Sequence, residues 1–206
     1  MTQSTNQPPK IWNEETQRYE VENVIATQYG KDHLGGHSSK THTDDAIINF
    51  IKYEYDIKSI IDIGCGPGGM SSVCEARNID WFGVDGDFTV IPEQNTLLHD
   101  FSEGAPSIDR TFDCAWSVEF LEHVDEEYLD NFMKAFQLAD KMVIATAAPP
   151  GTPGHHHVNC QPLEYWIDVF DNYGFEYSPE VTETIKSISS MAKPFIKRHG
   201  FVMFKK

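Results

Sequence analysis

The sequence predicts an α/β protein: a mostly parallel sheet with helices on both faces and one reversed strand near the end. Three observations carry this. Short apolar strands alternate with helix-patterned segments between Thr43 and Gly174, which is how parallel β-α-β units read in sequence. A glycine-dense loop, Gly64-Cys65-Gly66-Pro67-Gly68-Gly69, joins the first such strand to the helix after it. The tail then changes character, offering two β-like segments with no good helix between them. At 206 residues, 40% apolar and 12% aromatic, the chain suits one domain with a sizeable core.

The elements follow in order. Residues 1–10 are polar and are expected to fray. Thr43-Asp44-Asp45 supplies a cap and first-turn carboxylates for a helix to about Tyr55, with Ala46, Ile47, Phe50, Ile51 and Tyr53 at helical spacing. The strand within Ile57–Ile63 has the composition of one buried on both faces. A helix over Met70–Arg77 and strands over Asp80–Val84, Thr96–His99 and Phe112–Ser117 come next. The segment Glu126–Ala139 is helical, with Tyr128, Leu129, Phe132, Met133 and Phe136 on one face, and Lys141–Ala147 is a fifth strand. A Pro-, Gly- and His-rich loop over Pro149–Pro162 precedes a helix over Leu163–Tyr173, closed by Gly174. Tyr165 and Trp166 on that helix sit at core spacing. Val181–Ser189 and Phe201–Lys206 are read as the β segments of a closing antiparallel hairpin. Residues 1–42 form an N-terminal extension, and 43–206 the single main domain.

Charge and composition narrow the function. A formal net charge of −16 disfavours extended nucleic-acid binding, because the long-range field repels polyanions and few donors remain for phosphates. The longest apolar run, Met142–Ala148, falls far short of the ~20 residues that span a bilayer, so membrane insertion is not expected. The opening residues lack the basic flank and apolar run of a secretory signal, and the expected location is cytoplasmic. Cys65, Cys74, Cys114 and Cys160 form no C-x-x-C pair and are expected as thiols.

A glycine loop between a buried strand and a helix lets backbone approach a ligand closely. Read as Gly64-x-Gly66-x-x-Gly69 it also satisfies a dinucleotide fingerprint, so a nicotinamide-dependent oxidoreductase stays open on the loop alone. Its neighbours discriminate. Asp62, Asp85 and Asp100 each stand near the carboxyl end of a strand, the edge where open α/β sheets bind ligands. Asp85 can accept both hydroxyls of a ribose, but Asp62 would set negative charge beside a pyrophosphate. A ligand with an adenosine, an amino group and a sulfonium, and no phosphate, suits all three acids. S-adenosylmethionine is such a ligand.

The run Ile60-Ile61-Asp62-Ile63-Gly64-Cys65-Gly66-Pro67-Gly68 resembles the first motif of class I S-adenosylmethionine-dependent methyltransferases. Val84-Asp85-Gly86-Asp87 is similar to their second motif, His99-Asp100-Phe101 to the adenine-contacting segment, and Phe112–Val124 to the fourth-strand motif. The resemblance covers residues 57–206. It implies a Rossmann-like seven-stranded sheet of order 3-2-1-4-5-7-6 with strand 7 antiparallel. It also implies that Gly64 and Gly66 line the methionine part, that Asp85 holds the ribose and that Asp100 and Phe101 frame the adenine. Asp62 orients the loop or the amino group, and Cys65, Gly68, Gly86 and Ser117 belong to the same cofactor-binding motifs. Gly69 is read as close helix-to-strand packing.

The acceptor side offers Glu119, Glu122 and His123 at i, i+3 and i+4, which share a face if the chain turns helical after Ser117. His155-His156-His157 leave the same sheet edge from the fifth strand. Such a set can bind Mg²⁺, Mn²⁺ or Zn²⁺. Glu119-x-x-Glu122-His123 with His157 resembles the metal site of small-RNA 3′-terminal 2′-O-methyltransferases, and also resembles ubiquinone-pathway O-methyltransferases. Without a metal, His123 or His157 is the candidate general base, with Glu119 beside them. His157-Val158-Asn159 has a second reading, as a lock that ties down backbone. Tyr29 to His37, rich in Gly and His, could fold over the cofactor as a lid, with Tyr29 or His33 facing the ligand. The leading expectation is methyl transfer to oxygen or nitrogen of a small metabolite or sugar-like acceptor. The alternatives are a metal-dependent RNA 2′-O-methyltransferase and a non-catalytic binding module with the same fold.

Overall fold

The computed structural model describes residues 10–13, 18–21, 40–87 and 95–206. The chain divides into two units, Met1–Leu34 and Gly35–Lys206. In the first, β1 (Lys10–Asn13) and β2 (Arg18–Val21) pair antiparallel, with Lys10 opposite Val21. That hairpin was not expected from a polar opening. Tyr29, His33 and the rest of the expected lid lie outside the described residues.

The second unit is a seven-stranded sheet. Its strands are β3 (Ser59–Ile63), β4 (Asp80–Asp85), β5 (Thr96–Leu98), β6 (Phe112–Ser117), β7 (Ala139–Thr146), β8 (Phe175–Tyr177) and β9 (Gly200–Lys205). They lie in the order β5-β4-β3-β6-β7-β9-β8. Counted from β3 this is 3-2-1-4-5-7-6, and β9, the seventh, runs antiparallel to both β7 and β8.

Strand alternation assigns each side chain to a face. Ile61, Ala115, Val143 and Phe201 enter one core, under α3 (Leu129–Phe136) and α4 (Leu163–Asn172), which contribute Phe132, Phe136, Trp166 and Phe170. Ile60, Cys114, Met142 and Val202 enter the other. That face is covered by α1 (Asp45–Glu54), α2 (Met70–Glu75), α5 (Pro179–Ile188) and α6 (Phe195–His199), through Ile47, Met70, Ile185 and Ile196. Both neighbours in such a pair are fully buried, which is why these strands read as continuous apolar runs rather than alternating ones. Each aliphatic side chain so buried contributes roughly 1.5–3 kcal/mol. The four cysteines are free thiols, as expected.

Three local expectations need correction. Val181–Ser189 is not a strand: Val181–Ile188 lies in helix α5 and Ser189 is its C-cap, while the Ser178 N-cap accepts the Val181 N–H and the first position is Pro179. Its β-branched composition imitates a strand, while the cap, the proline, Glu180 in the first turn and Lys186 in the last mark a helix. The antiparallel edge partner of β9 is instead β8, immediately after Gly174, and since two helices lie between these strands the pair is not the expected hairpin. The helix expected over 126–139 is shorter: Glu126–Tyr128 is a 3₁₀ turn, and Ala139 already belongs to β7. On α1, Tyr53 is exposed and Ile48 takes the buried position.

Asp44 is the main polar tie of this unit. Fully buried, its carboxylate caps α1 through the Ile47 N–H and accepts hydrogen bonds from both N–H and hydroxyl of Ser190, from the Ser189 hydroxyl and from the Met191 N–H. It joins the start of α1 to the segment between α5 and α6.

Candidate functional site

At the carboxyl end of β3 the chain hooks over β4: the N–H groups of Gly64 and Cys65 both donate to the Val84 carbonyl, at 2.8 and 3.2 Å. Gly64 has φ +76° and no room for a side chain, since a Cβ there would stand 2.6 Å from Cδ2 of Phe120. Gly66 and Gly68 also adopt positive φ. The Asp85 carboxylate at the end of β4 takes the Gly66 N–H at 2.7 Å on one oxygen and the Asp87 N–H at 2.8 Å on the other.

Asp62 lies beneath this loop and is 3% exposed. Its carboxylate accepts the Trp81 indole N–H at 3.1 Å, and burial pushes its pKa up to about 7, with the Asp85 charge adding to the rise. Trp81 in turn fills the space beside Gly68 and Gly83. The Gly69 N–H donates to the Thr41 hydroxyl at 2.9 Å, and a Cβ on Gly69 would stand 2.8 Å from Thr41 Cβ. Gly69 is thus a close-packing position, against the segment preceding α1.

The remaining cofactor candidates fall into two groups. Gly86 lies between Asp85 and Asp87 at the half-buried end of β4. Asp100 caps the 3₁₀ turn Phe101–Glu103 through the Ser102 N–H. Phe101, Cys65 and Ser117 are buried in the framework. Phe101 packs its ring edge on Phe120 at 5.3 Å, and the Ser117 hydroxyl ties β6 to the Ile63 carbonyl at 2.9 Å. Burial pushes the Cys65 thiol far above its ordinary pKa, which keeps it protonated. Phe120, Trp81 and Thr41, which hold the loop from three sides, were not singled out in the sequence. Only proximity in space marks them.

On the acceptor side the chain after Ser117 is not α-helical. Glu119 takes a left-handed φ of +56°, its N–H held by the Thr146 hydroxyl at 2.8 Å, and Leu121–His123 forms a 3₁₀ turn. The three predicted residues therefore do not share a helical face. Glu122, His123 and His157 nevertheless converge, each offering a ligand atom within 4.8 Å of the other two. Glu119 stands outside that trio, beside Glu122. Burial raises the pKa of both carboxyl groups, and the charge of Glu119 raises Glu122 further.

Two atoms of the trio are buried without a hydrogen-bond partner: Glu122 Oε2 and His123 Nδ1. The other Glu122 oxygen accepts the Ala148 N–H at 3.2 Å. Burial, with His157 nearby, lowers the His123 pKa to about 4, so the ring is neutral at pH 7. His157 Nδ1 lies 3.0 Å from the Thr152 carbonyl. A carbonyl only accepts, so Nδ1 is the nitrogen that donates here, and Nε2 is the one left to face a ligand. The His157 ring rests on Gly154, where a Cβ would meet Nε2 at 2.0 Å. A buried carboxylate and two imidazoles with free lone pairs form a donor set suited to a divalent ion.

The reversed seventh strand, the glycine loop and Asp85 together define a class I methyltransferase fold rather than a dinucleotide oxidoreductase. The chain belongs to the methyltransferase-domain family, whose profile matches residues 40–151, more than half of its length. It is an S-adenosylmethionine-dependent methyltransferase by class. No curated protein matches the sequence.

Solved structures agree on the fold. Magnesium protoporphyrin IX methyltransferase (ChlM) from Synechocystis PCC 6803, with bound SAH, is 14% identical, with a TM-score of 0.54 over 79% of this chain and 81% of that one. The methyltransferase domain of bacterial CtHen1-C is 20% identical, with a TM-score of 0.53 over 78% of this chain and 95% of that one. The plantazolicin methyltransferase BpumL, in complex with a desmethylPZN analog and SAH, is 12% identical, with a TM-score of 0.55 over 79% and 82%.

Proposed function

We propose that the protein moves the methyl group of S-adenosylmethionine to a hydroxyl oxygen of a small metabolite or sugar-like acceptor, beside a divalent cation held by Glu122, His123 and His157. The observation that carries this reading is the pair of buried, unpartnered ligand atoms, Glu122 Oε2 and His123 Nδ1, within one trio. Such atoms are costly to bury unpaired, and a ligand accounts for both.

On this reading the glycine loop receives the methionine part, and Asp85, at the end of β4 beside that loop, holds the ribose. Asp100 and Phe101 stand on the adenine side. The acceptor oxygen must lie about 3–3.5 Å from the methyl carbon and in line with the carbon–sulfur bond. As the new carbon–oxygen bond forms, the carbon–sulfur bond breaks and its electron pair returns to sulfur. A divalent ion held by Glu122, His123 and His157 would supply Lewis acidity that lowers the acceptor hydroxyl's pKa. The hydroxyl proton goes to Glu119, which lies beside Glu122 and outside the cation trio. The net charge of −16 favours a small acceptor over a polyanion. A second reading, methylation of a terminal RNA 2′-hydroxyl, draws support from the Glu/His trio, whose residues carry the resemblance to small-RNA 2′-O-methyltransferases.

The test is transfer of labelled methyl from S-adenosylmethionine to a panel of hydroxylated small molecules and to short RNA, with EDTA or with added Mn²⁺. Transfer to a small acceptor that EDTA abolishes and Mn²⁺ restores is the expected outcome. Transfer only to RNA would establish the second reading, and turnover indifferent to EDTA would remove the cation. A protein that binds no S-adenosylhomocysteine would be a non-catalytic module.

A further inference from the structure

The two halves of the trio come from different strands: Glu122 and His123 follow β6, while His157 follows β7 in a long Pro- and Gly-rich loop. Something must fix their separation: the Ala148 N–H holds Glu122 Oε1 at the start of the loop, and Val158 and Asn159 tie the end of the loop that carries His157. The N–H groups of Val158 and Asn159 both donate to the Glu122 carbonyl, at 3.0 and 3.1 Å. The Asn159 side-chain amide donates to the Val124 carbonyl at 3.2 Å. Because that carbonyl only accepts, the orientation of the amide is set: Nδ2 faces Val124, and Oδ1 is the other end. Asn159 is 2% exposed, and its Oδ1 is buried with no partner. A residue there only to fill space would bring no unpaired oxygen, so the amide's use is the Val124 bond.

We infer that Asn159 is a positioning residue that clamps the histidine loop onto the Glu122–Val124 turn and so sets the spacing of Glu122, His123 and His157. The inference rests on the reading of that trio as a cation site. His157 is only two residues from the clamp and is steadied on its other side by the Thr152 carbonyl. Loss of the Asn159 amide removes the bond to Val124 and leaves the two backbone bonds to the Glu122 carbonyl to hold this end of the loop, which loosens its placement against the turn. The glycine loop and Asp85 are held by other bonds, so the cofactor side is unaffected.

The experiment titrates Mn²⁺ and, separately, S-adenosylhomocysteine into chelator-stripped, untagged full-length protein, by calorimetry, with the Mn²⁺ electron paramagnetic resonance signal as a second readout. Wild type is compared with Asn159→Ala and with Asn159→Ser, which keeps a small polar group but cannot span to Val124. Residues that orient metal ligands typically alter affinity about 10–100-fold when replaced. The expected result is a Mn²⁺ affinity lowered by about that factor in both variants, with S-adenosylhomocysteine affinity within about twofold of wild type. Unchanged Mn²⁺ affinity in folded variants would overturn the clamp, and so would a parallel loss of both ligands, which marks a general structural role. Failure of wild type to bind Mn²⁺ would instead overturn the cation reading and this inference with it.

Discussion

Gly64→Ala is the sharpest single perturbation of the cofactor side. Two separate costs can be read from the structure. The backbone at φ +76° lies in the left-handed region, which charges a non-glycine residue roughly 1–2 kcal/mol. The added Cβ would sit 2.6, 2.9 and 3.0 Å from Cδ2, Cβ and Cγ of Phe120, and such overpacking costs about 1–3 kcal/mol. Phe120 has little freedom to yield, because its ring packs edge-on against Phe101 and Phe132. The sum centres near 3.5 kcal/mol, and for a protein of this size that lowers Tm by roughly 7–14 °C. Differential scanning calorimetry measures it directly, with S-adenosylhomocysteine affinity recorded in parallel and expected to fall. Adding Phe120→Leu should recover about 1 kcal/mol relative to the sum of the single effects, because it relieves the ring contacts but neither the Cβ contact nor the backbone term. A Gly64→Ala protein melting within about 2 °C of wild type, or a double variant that is strictly additive, would refute the reasoning.

Other perturbations test different links. Asp62 ionises near pH 4 in the unfolded chain and near 7 in the fold, so between those values the unfolded state holds fewer protons and stability falls as pH rises. Asp62→Asn keeps an acceptor for Trp81 but removes that term; its Tm should gain on wild type from pH 4 to about 7 and then level off, whereas a pH-independent difference would contradict the assignment. Asp44→Ala orphans several buried donors at once and should cost about 3–5 kcal/mol, seen as a lower urea midpoint; a loss under about 1 kcal/mol would show that the segment repacks. Mn²⁺ at about 100 times its Kd should stabilise wild type by roughly 2.7 kcal/mol, or about 5–10 °C, and Glu122→Gln should abolish that shift. An equal shift in Glu122→Gln would place the ion elsewhere.

Much of this protein is written in local sequence. The buried strands declare themselves because each is apolar on both faces, and the glycine loop because its left-handed backbone and its close neighbours favour glycine. Asp85 is recognisable from its place at a strand end, which topology turns into a site edge. The seventh-strand reversal was foreseen, yet one of its two partners was misplaced: the β-branched face of α5 imitates a strand, and a Ser-Pro cap outweighs it. What local sequence could not decide is which side chains meet. Glu119, Glu122 and His123 have helical spacing, but the Thr146 hydroxyl and a left-handed Glu119 break the helix, so Glu119 parts from a trio that His157 completes from another strand. Asp62 meets Trp81, Gly64 meets Phe120 and Gly69 meets Thr41 only through contacts between segments from 19 to 56 residues apart. Periodicity reports the face on which a residue lies, while the partner across that face is set by the register and order of the strands, which exist only once the sheet has formed.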